Sequence, residues 1–291
     1  MKNLIKLLRP QQWLKNGFIF LPLFFSGQMG DVQNWINCVV AFFSFCFAAS
    51  AVYCFNDIYD AEDDRLHAGK RNRPIASGAI SKKQGYLVMG LMMLLSFVLL
   101  FLLIDNRSQA LIVIGIYFIM NMFYCIKLKH IYIVDVFIIA FGFVLRVLAG
   151  GVATGIQLSH WIILMTFLLA LFLAFAKRRD DVVVFQDTGV KIRKSIKGYS
   201  LRFLDQVLSI VGTITVVCYI MYTVSGDVTK RFESQYVYLT SIFVLAGIIR
   251  YMQISIVAEK SGDPTKVLVR DLFIQGCIIG WLIAFSFIIY F

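Results

Sequence analysis

Long apolar stretches separated by short polar intervals run along the whole chain. Nine of them approach or exceed the roughly 20 residues that carry a helix across about 30 Å of hydrocarbon. They are residues 10–27, 34–56, 84–104, 108–126, 131–153, 159–177, 204–224, 234–257 and 266–290. The first is short and contains Pro22, which predicts a kink or tilt. Only two polar intervals are long, 57–83 and 178–203, so no separate soluble domain has room to form. The pattern predicts an all-α polytopic membrane protein with nine transmembrane helices, a single domain over 1–291 whose two loops carry the chemistry.

Composition agrees: 59% of the residues are hydrophobic and 15% charged, against about 25% charged in soluble domains. Soluble globular, disordered and collagen-like classes are thereby excluded. The six cysteines, 38, 46, 54, 125, 218 and 277, form no CxxC and mostly lie in apolar runs, as small packing residues do. The net charge of +11 reports topology here and not a nucleic-acid partner. Twenty-three of the 28 Lys and Arg residues precede or open span one or follow spans two, four, six and eight. That bias puts the N-terminus in the cytoplasm and the C-terminus outside, in a multi-pass protein of the inner membrane. Pro10, Trp13, Lys15 and Asn16 interrupt the place where the apolar core of a cleavable signal would run.

The surplus of positive charge also suggests anionic partners such as lipid headgroups or phosphates. The segment after span two shows where they would bind. Asp57, Asp60 and Asp64 are spaced i, i+3, i+7 and lie within roughly 60° of one another on a helix. Three carboxylates on one face repel unless a cation sits among them, and hard oxygens of this kind suit Mg²⁺ bridging to substrate phosphates. Lys70, Arg71 and Arg73 follow at once, then Pro74 and Gly78. An acidic face followed by a basic cluster is what a metal–diphosphate substrate requires, the metal and the cations sharing the phosphate charge. The alternative is a solvated loop that only enforces topology.

Asn56-Asp57-x-x-Asp60-x-x-x-Asp64 resembles the first aspartate-rich motif of the UbiA superfamily of intramembrane prenyltransferases, as do Arg71-Asn72-Arg73-Pro74-Ile75-Ala76-Ser77-Gly78 and the opening Arg9-Pro10-Gln11-Gln12-Trp13-Leu14-Lys15-Asn16. The resemblance covers the whole chain. It implies nine helices around a central cavity, with Mg²⁺-dependent diphosphate binding at the cytoplasmic side. Where prenyl-transferring members carry a second motif, D-x-x-x-D, this chain reads Lys177-Arg178-Arg179-Asp180-Asp181. That segment, the opening and Gly142–Gly150 resemble the decaprenyl-phosphate phosphoribosyltransferase branch. The branch implies transfer of 5-phosphoribose from phosphoribosyl diphosphate to a polyprenyl phosphate, for cell-envelope glycolipid synthesis. Three phosphate-bearing groups meeting in one site call for more cations and fewer carboxylates than one prenyl diphosphate does.

On this reading Asp57, Asp60 and Asp64 hold the metal, and Lys70, Arg71, Arg73, Lys177 and Arg178 hold phosphates. Asp181, four residues after Lys177, has two roles open to it, orienting that lysine or binding metal. Asp135 and Arg146 share a face of span five to within roughly 20° but lie about 16 Å apart along it, so they cannot pair directly. Lining one cavity is open to them, and Arg146 has a buried pair with another acid as its alternative to a phosphate or helix-terminus contact. Lys15, Asn16, Asn56, Tyr124 and Lys129 complete the candidate substrate contacts at helix ends, Lys15 and Lys129 having snorkelling as their alternative. A homo-oligomer is compatible with the chain. Two rival functions remain: prenyl transfer from a prenyl diphosphate to an aromatic or other small acceptor, and membrane transport. The one-sided charge and the lack of an inverted repeat count against the transporter.

Overall fold

The computed structural model describes residues 2–66, 69–103, 106–189, 198–259, 262 and 264–290. All regular structure among them is helical. The elements are α1 (Lys2–Leu8), a 3₁₀ segment (Pro10–Phe20), α2 (Leu21–Phe25), α3 (Val32–Tyr59), α4 (Ala61–Leu66), α5 (Lys82–Leu100), α6 (Arg107–Ile126) and α7 (Val134–Thr154). Then come α8 (His160–Thr188), α9 (Leu201–Thr223), α10 (Gly226–Arg231), α11 (Ser241–Ile256), α12 (Pro264–Arg270) and α13 (Leu272–Tyr290). Among the described residues seven helices are long and apolar enough to cross a membrane, two fewer than the nine expected. The class is as predicted, an all-helical integral membrane protein.

The first and last expected spans take a different form from the one expected. In the first expected span, Pro22 lacks the N–H that would bond the Phe18 carbonyl and its ring crowds that carbonyl, so no continuous α-ladder runs through residues 10–27; Pro10 only opens the segment. The chain takes the narrower 3₁₀ form instead. At 2.0 Å per residue, eleven 3₁₀ residues followed by a short α-turn still reach about 30 Å. The last expected span differs only in where it starts: Asp271, whose Oδ1 accepts from Ile274 N at 2.9 Å, opens α13, which runs 19 residues from Leu272 to Tyr290. Arg250, on α11, meets the same carboxylate at 2.7 Å. One helix is longer than expected. The span 159–177 continues to Thr188, so Lys177–Asp181 are helical and not in a loop. No Gly or Pro interrupts it until Gly189, which ends it at a left-handed φ of 68°. Part of the second expected loop, residues 190–197, lies outside the described residues.

The helices form two compact units, Met1–Lys129 with Phe141–Leu158, and His130–Ala140 with Ser159–Phe291. In the first, α3 is the central post, packed on α5, α6, α1 and the 3₁₀ segment. Its start is capped by Asp31, which accepts from Gln33 N and Asn34 N. Phe45, Ala48, Ala49 and Val52 of α3 meet Ile114 and Tyr117 of α6 and Leu145 and Ala149 of α7. A second small core of Leu7, Cys54, Ile58, Ala61, Ile75 and Ile80 lies around the far end of α3 and ties α1 and the 69–80 segment to it.

The 3₁₀ segment explains the opening motif. With three residues per turn, positions i and i+3 eclipse, so Trp13, Asn16 and Ile19 share one face. Trp13 Nε1 donates to Ser50 Oγ at 3.0 Å and Asn16 Nδ2 to Cys46 Sγ at 3.1 Å, both on α3. Ile19 is fully buried, its carbonyl so close to α7 that a Cβ at Gly150 would collide with it. In the second unit, α8 packs on α9 and α11, and α11 on α13.

Candidate functional site

In the first unit the acidic residues meet cations from three other parts of the chain. Asp57, on the last turns of α3, is 1% exposed. Its Oδ1 accepts from Arg9 Nη2 and lies 3.5 Å from Arg73 Nη1. Its Oδ2 is buried and has no hydrogen-bond partner among the described residues. Asp64, on α4, is also buried and takes Arg73 Nη1 at 2.6 Å. One guanidinium nitrogen is thus flanked by two carboxylates. Asp60 goes elsewhere, paired with Lys129 Nζ at 2.5 Å. The sequence grouped three carboxylates on one helical face; the structure pairs Asp57 with Asp64 and gives Asp60 to Lys129. The reason is the break between helices: α3 ends at Tyr59, and Asp60 is its C-cap with ψ near 2°.

Sequence and packing fix this geometry. Ile75 and Ile80 bury against Ile58 and Ala61, which anchors the 69–80 segment carrying Arg73. Gly85 lets α5 come close, since a Cβ there would sit 2.9 Å from Ile75 Cδ1. Ser81 opens α5 with a reciprocal capping box to Gln84. Arg9 sits at a left-handed φ of 50° between α1 and Pro10, its guanidinium 5.0 Å from the Tyr53 ring. Arg9 was counted in the sequence only as a topological charge and as part of a motif. The signal that exposes it is Pro10, which stops α1 and turns the preceding side chain toward α3.

Hard carboxylate oxygens, one of them buried without a partner and two already bridged by a positive group, form a donor set that fits a divalent cation. Asp57 and Asp64 would supply it. No group of three His, Cys, Asp or Glu side chains among the described residues closes on one point, so remaining ligands would come from water or substrate.

Arg146 lies deeper in the same unit and is buried. Its Nε donates to Asn16 Oδ1 at 2.8 Å, Nη1 to Gly142 O at 2.6 Å and Nη2 to Tyr117 OH at 3.3 Å. Phe45, Tyr117 and Phe143 rings surround it at 5.1–5.3 Å. All its hydrogen bonds go to neutral oxygens. Arg146 therefore ties α7 to the 3₁₀ segment through Asn16. Lys15, Asn56, Lys70 and Tyr124 are partly buried, and Arg71 is exposed.

The second unit holds a different cluster. Arg178, fully buried on α8, donates Nε to Asp135 Oδ2 and Nη1 to Asp181 Oδ2, each at 2.7 Å. Asp135 Oδ1 also accepts from Tyr199 OH at 3.0 Å, and that hydroxyl accepts from Ile133 N at 2.7 Å. Ile133 holds a left-handed φ of 67° that a β-branched residue rarely adopts, and the Tyr199 contact braces it. Burial pushes the Tyr199 phenol well above its usual range, and the facing Asp135 carboxylate pushes the same way. Asp135 is thus saturated by Arg178 and Tyr199. Asp181 meets Arg178, three residues back on the same helix. Arg179 turns to Asp205 at 2.6 Å and to the Ser255 carbonyl at 2.7 Å. Lys177 is half-buried. Tyr199 and Asp205 were not singled out from the sequence. Nothing in their spacing marks them, since each meets its partner across the fold.

Comparison with known proteins agrees with this architecture. The UbiA prenyltransferase family matches residues 19–277. A decaprenyl-phosphate phosphoribosyltransferase from Mycolicibacterium smegmatis is 34% identical, over 99% of this chain and 93% of its own. One from Corynebacterium glutamicum is 32% identical, over 99% and 87% respectively. Among solved structures, a UbiA homolog from Archaeoglobus fulgidus bound to DMAPP and Mg²⁺ superposes with a TM-score of 0.71 at 21% identity, over 99% of this chain and 100% of its own. A family match over most of the chain, and relatives of this identity over nearly its full length, place it: the chain belongs to the UbiA prenyltransferase family and is an integral membrane transferase.

Proposed function

We propose that the protein transfers 5-phosphoribose from phosphoribosyl diphosphate to a polyprenyl phosphate and releases diphosphate. The observation that carries this reading is the near full-length similarity to decaprenyl-phosphate phosphoribosyltransferases, in a chain whose acidic cluster is ringed by Arg9, Arg73 and Lys129. The cluster is assigned to the cytoplasmic face by the bias of basic residues.

Asp57 and Asp64 would hold Mg²⁺, which when bound neutralises the diphosphate and makes it a better leaving group. Arg73 and Arg9 bind the phosphate oxygens, the guanidinium fork matching two of them at once. Lys129, held by Asp60 and lying 5.4 Å from the Tyr59 ring, adds a fixed positive charge. Lys70 and Arg71 stand in the same basic segment and extend the phosphate contacts. These groups orient C1 of the ribose for attack by an ionised phosphate oxygen of the lipid. Such a nucleophile needs no general base, consistent with a cluster of carboxylates and cations alone. Arg178, closed between two carboxylates, is assigned to holding α8 and α7 in the second unit and not to phosphate. Lys177 stays a proposed anion contact of that unit. Membership of a transferase family displaces the transport reading.

The test is turnover by purified protein in lipid nanodiscs, with phosphoribosyl diphosphate and decaprenyl phosphate, read by mass spectrometry of the lipid. A phosphoribosylated lipid formed only with Mg²⁺ is expected. No such product, with turnover of geranyl diphosphate and an aromatic acid instead, would overturn the assignment in favour of prenyl transfer.

A further inference from the structure

Among the described residues, the three carboxylates of the motif are matched by three cations: Asp57 with Arg9 and Arg73, Asp64 with Arg73, and Asp60 with Lys129. The two kinds of charge are layered. The Asp57 and Asp64 side chains are 1% and 4% exposed, whereas Arg9 and Arg73 are 21% and 25% exposed. The carboxylates form the floor and the guanidinium groups cover them. Arg73 Nη1 occupies the place between Asp57 and Asp64 that a shared cation would take.

Resting on the function proposed above, we infer that Arg73 and Arg9 are resident counter-ions. They hold the two carboxylates until a metal–diphosphate arrives, then transfer to its phosphate oxygens. A divalent cation entering alone must displace Arg73 or leave two surplus positive charges in a partly buried cluster, and either is costly. With diphosphate present, Arg73 exchanges the two carboxylates that flank its Nη1 for phosphate oxygens, which its guanidinium fork can take two at a time, and loses little. Metal and diphosphate therefore bind as a unit, and each strengthens the other by the same factor. Arg9 can exchange without moving its backbone, because Pro10 fixes the chain there and only the exposed side chain has to turn. Lys129 stays on Asp60 throughout.

The device protects the site as well. Without substrate, the buried carboxylates are never left uncompensated, and no tightly bound metal waits for stray anions.

The sign of the effect distinguishes this from simple damage. Deleting a metal ligand or loosening the fold weakens both metal and diphosphate. Deleting a resident counter-ion strengthens the metal alone and weakens the diphosphate. The experiment is Mn²⁺ binding to the full chain in nanodiscs, followed by electron paramagnetic resonance, with and without inorganic pyrophosphate. In the wild type, pyrophosphate is expected to tighten Mn²⁺ by about ten-fold or more, an ordinary coupling strength. Arg73→Gln should bind Mn²⁺ alone several-fold more tightly than wild type, lose most of the pyrophosphate dependence, and bind pyrophosphate more weakly. Arg9→Gln should change in the same directions and serves if Arg73→Gln does not yield folded protein. If wild type binds Mn²⁺ equally with and without pyrophosphate while Asp57→Asn binds neither, the site stands and the exchange is wrong. If wild type binds neither probe, the proposed function fails with it.

Discussion

Replacing Arg178 separates a structural role from a substrate contact. The side chain is fully buried and makes two 2.7 Å ion pairs, with Asp135, itself fully buried, and with Asp181. At an effective dielectric constant of 20, the Coulomb attraction of each pair is about 6 kcal/mol at this distance. Most of that is offset by taking three charges out of water. Removing Arg178 alone leaves two carboxylates in the interior without their cation, a change that costs about 3–5 kcal/mol. Arg178→Met should therefore lower the midpoint of thermal unfolding by on the order of 10 °C. The double variant Arg178→Met with Asp135→Leu should recover part of the loss, because apolar replacement of a buried pair is close to neutral. The assay is thermal unfolding of detergent-purified protein, followed by intrinsic fluorescence and size-exclusion chromatography. Arg178→Met that unfolds within about 1 kcal/mol of wild type yet binds phosphoribosyl diphosphate much more weakly would refute the structural assignment. Arg178 would then return to the phosphate-binding role its sequence position suggested.

Asp57→Asn should reduce turnover by about 10²–10³, the scale for losing a group that stabilises transition-state charge, whereas Asp60→Asn, which only releases Lys129, should cost less than about ten-fold; initial rates compare them. Chelation with EDTA should abolish turnover and excess Mg²⁺ should restore it, a titration that fails if activity persists in the chelator. Gly150→Val must push against the Ile19 carbonyl, and at the ~1–3 kcal/mol typical of overpacking its unfolding midpoint should fall measurably. The Tyr199 phenol is raised by folding, so the stability it contributes is complete below its ordinary value near 10 and is lost as pH rises beyond it. The alkaline slope of stability should accordingly be shallower in Tyr199→Phe.

Seven of the nine expected spans reappear as long apolar helices among the described residues because apolar length is a one-dimensional property, and those helices agree with the sequence to within a few residues except where polar residues continue the ladder. The α8 extension through Lys177–Asp181 was hidden because charge reads as the end of a span, whereas an ion pair at i, i+3 keeps the helix going. The acidic motif was legible from its spacing, and Asp57 and Asp64 do lie together. The departure of Asp60 was not, since it depends on one cap residue. Arg9, Tyr199 and Asp205 escaped notice because each acts on a partner tens of residues away. Conversely, the face shared by Asp135 and Arg146 suggested a common lining, but their partners differ entirely: Arg178 and Tyr199 for one, Asn16, Gly142 and Tyr117 for the other.

The 3₁₀ opening segment has a consequence for biogenesis. Gln11, Gln12, Lys15 and Asn16 fall within its eleven residues, too polar a sequence to partition from the translocon into lipid unaided. Its tryptophan and asparagine find their partners on α3, and Asn16 finds Arg146 on α7, more than a hundred residues later in synthesis. A segment synthesised more than a hundred residues before Arg146 is therefore among the last to settle. A truncated nascent chain ending before α7 should leave this segment accessible to a thiol reagent at a cysteine placed at residue 19, which is fully buried in the folded chain, and the full-length chain should not.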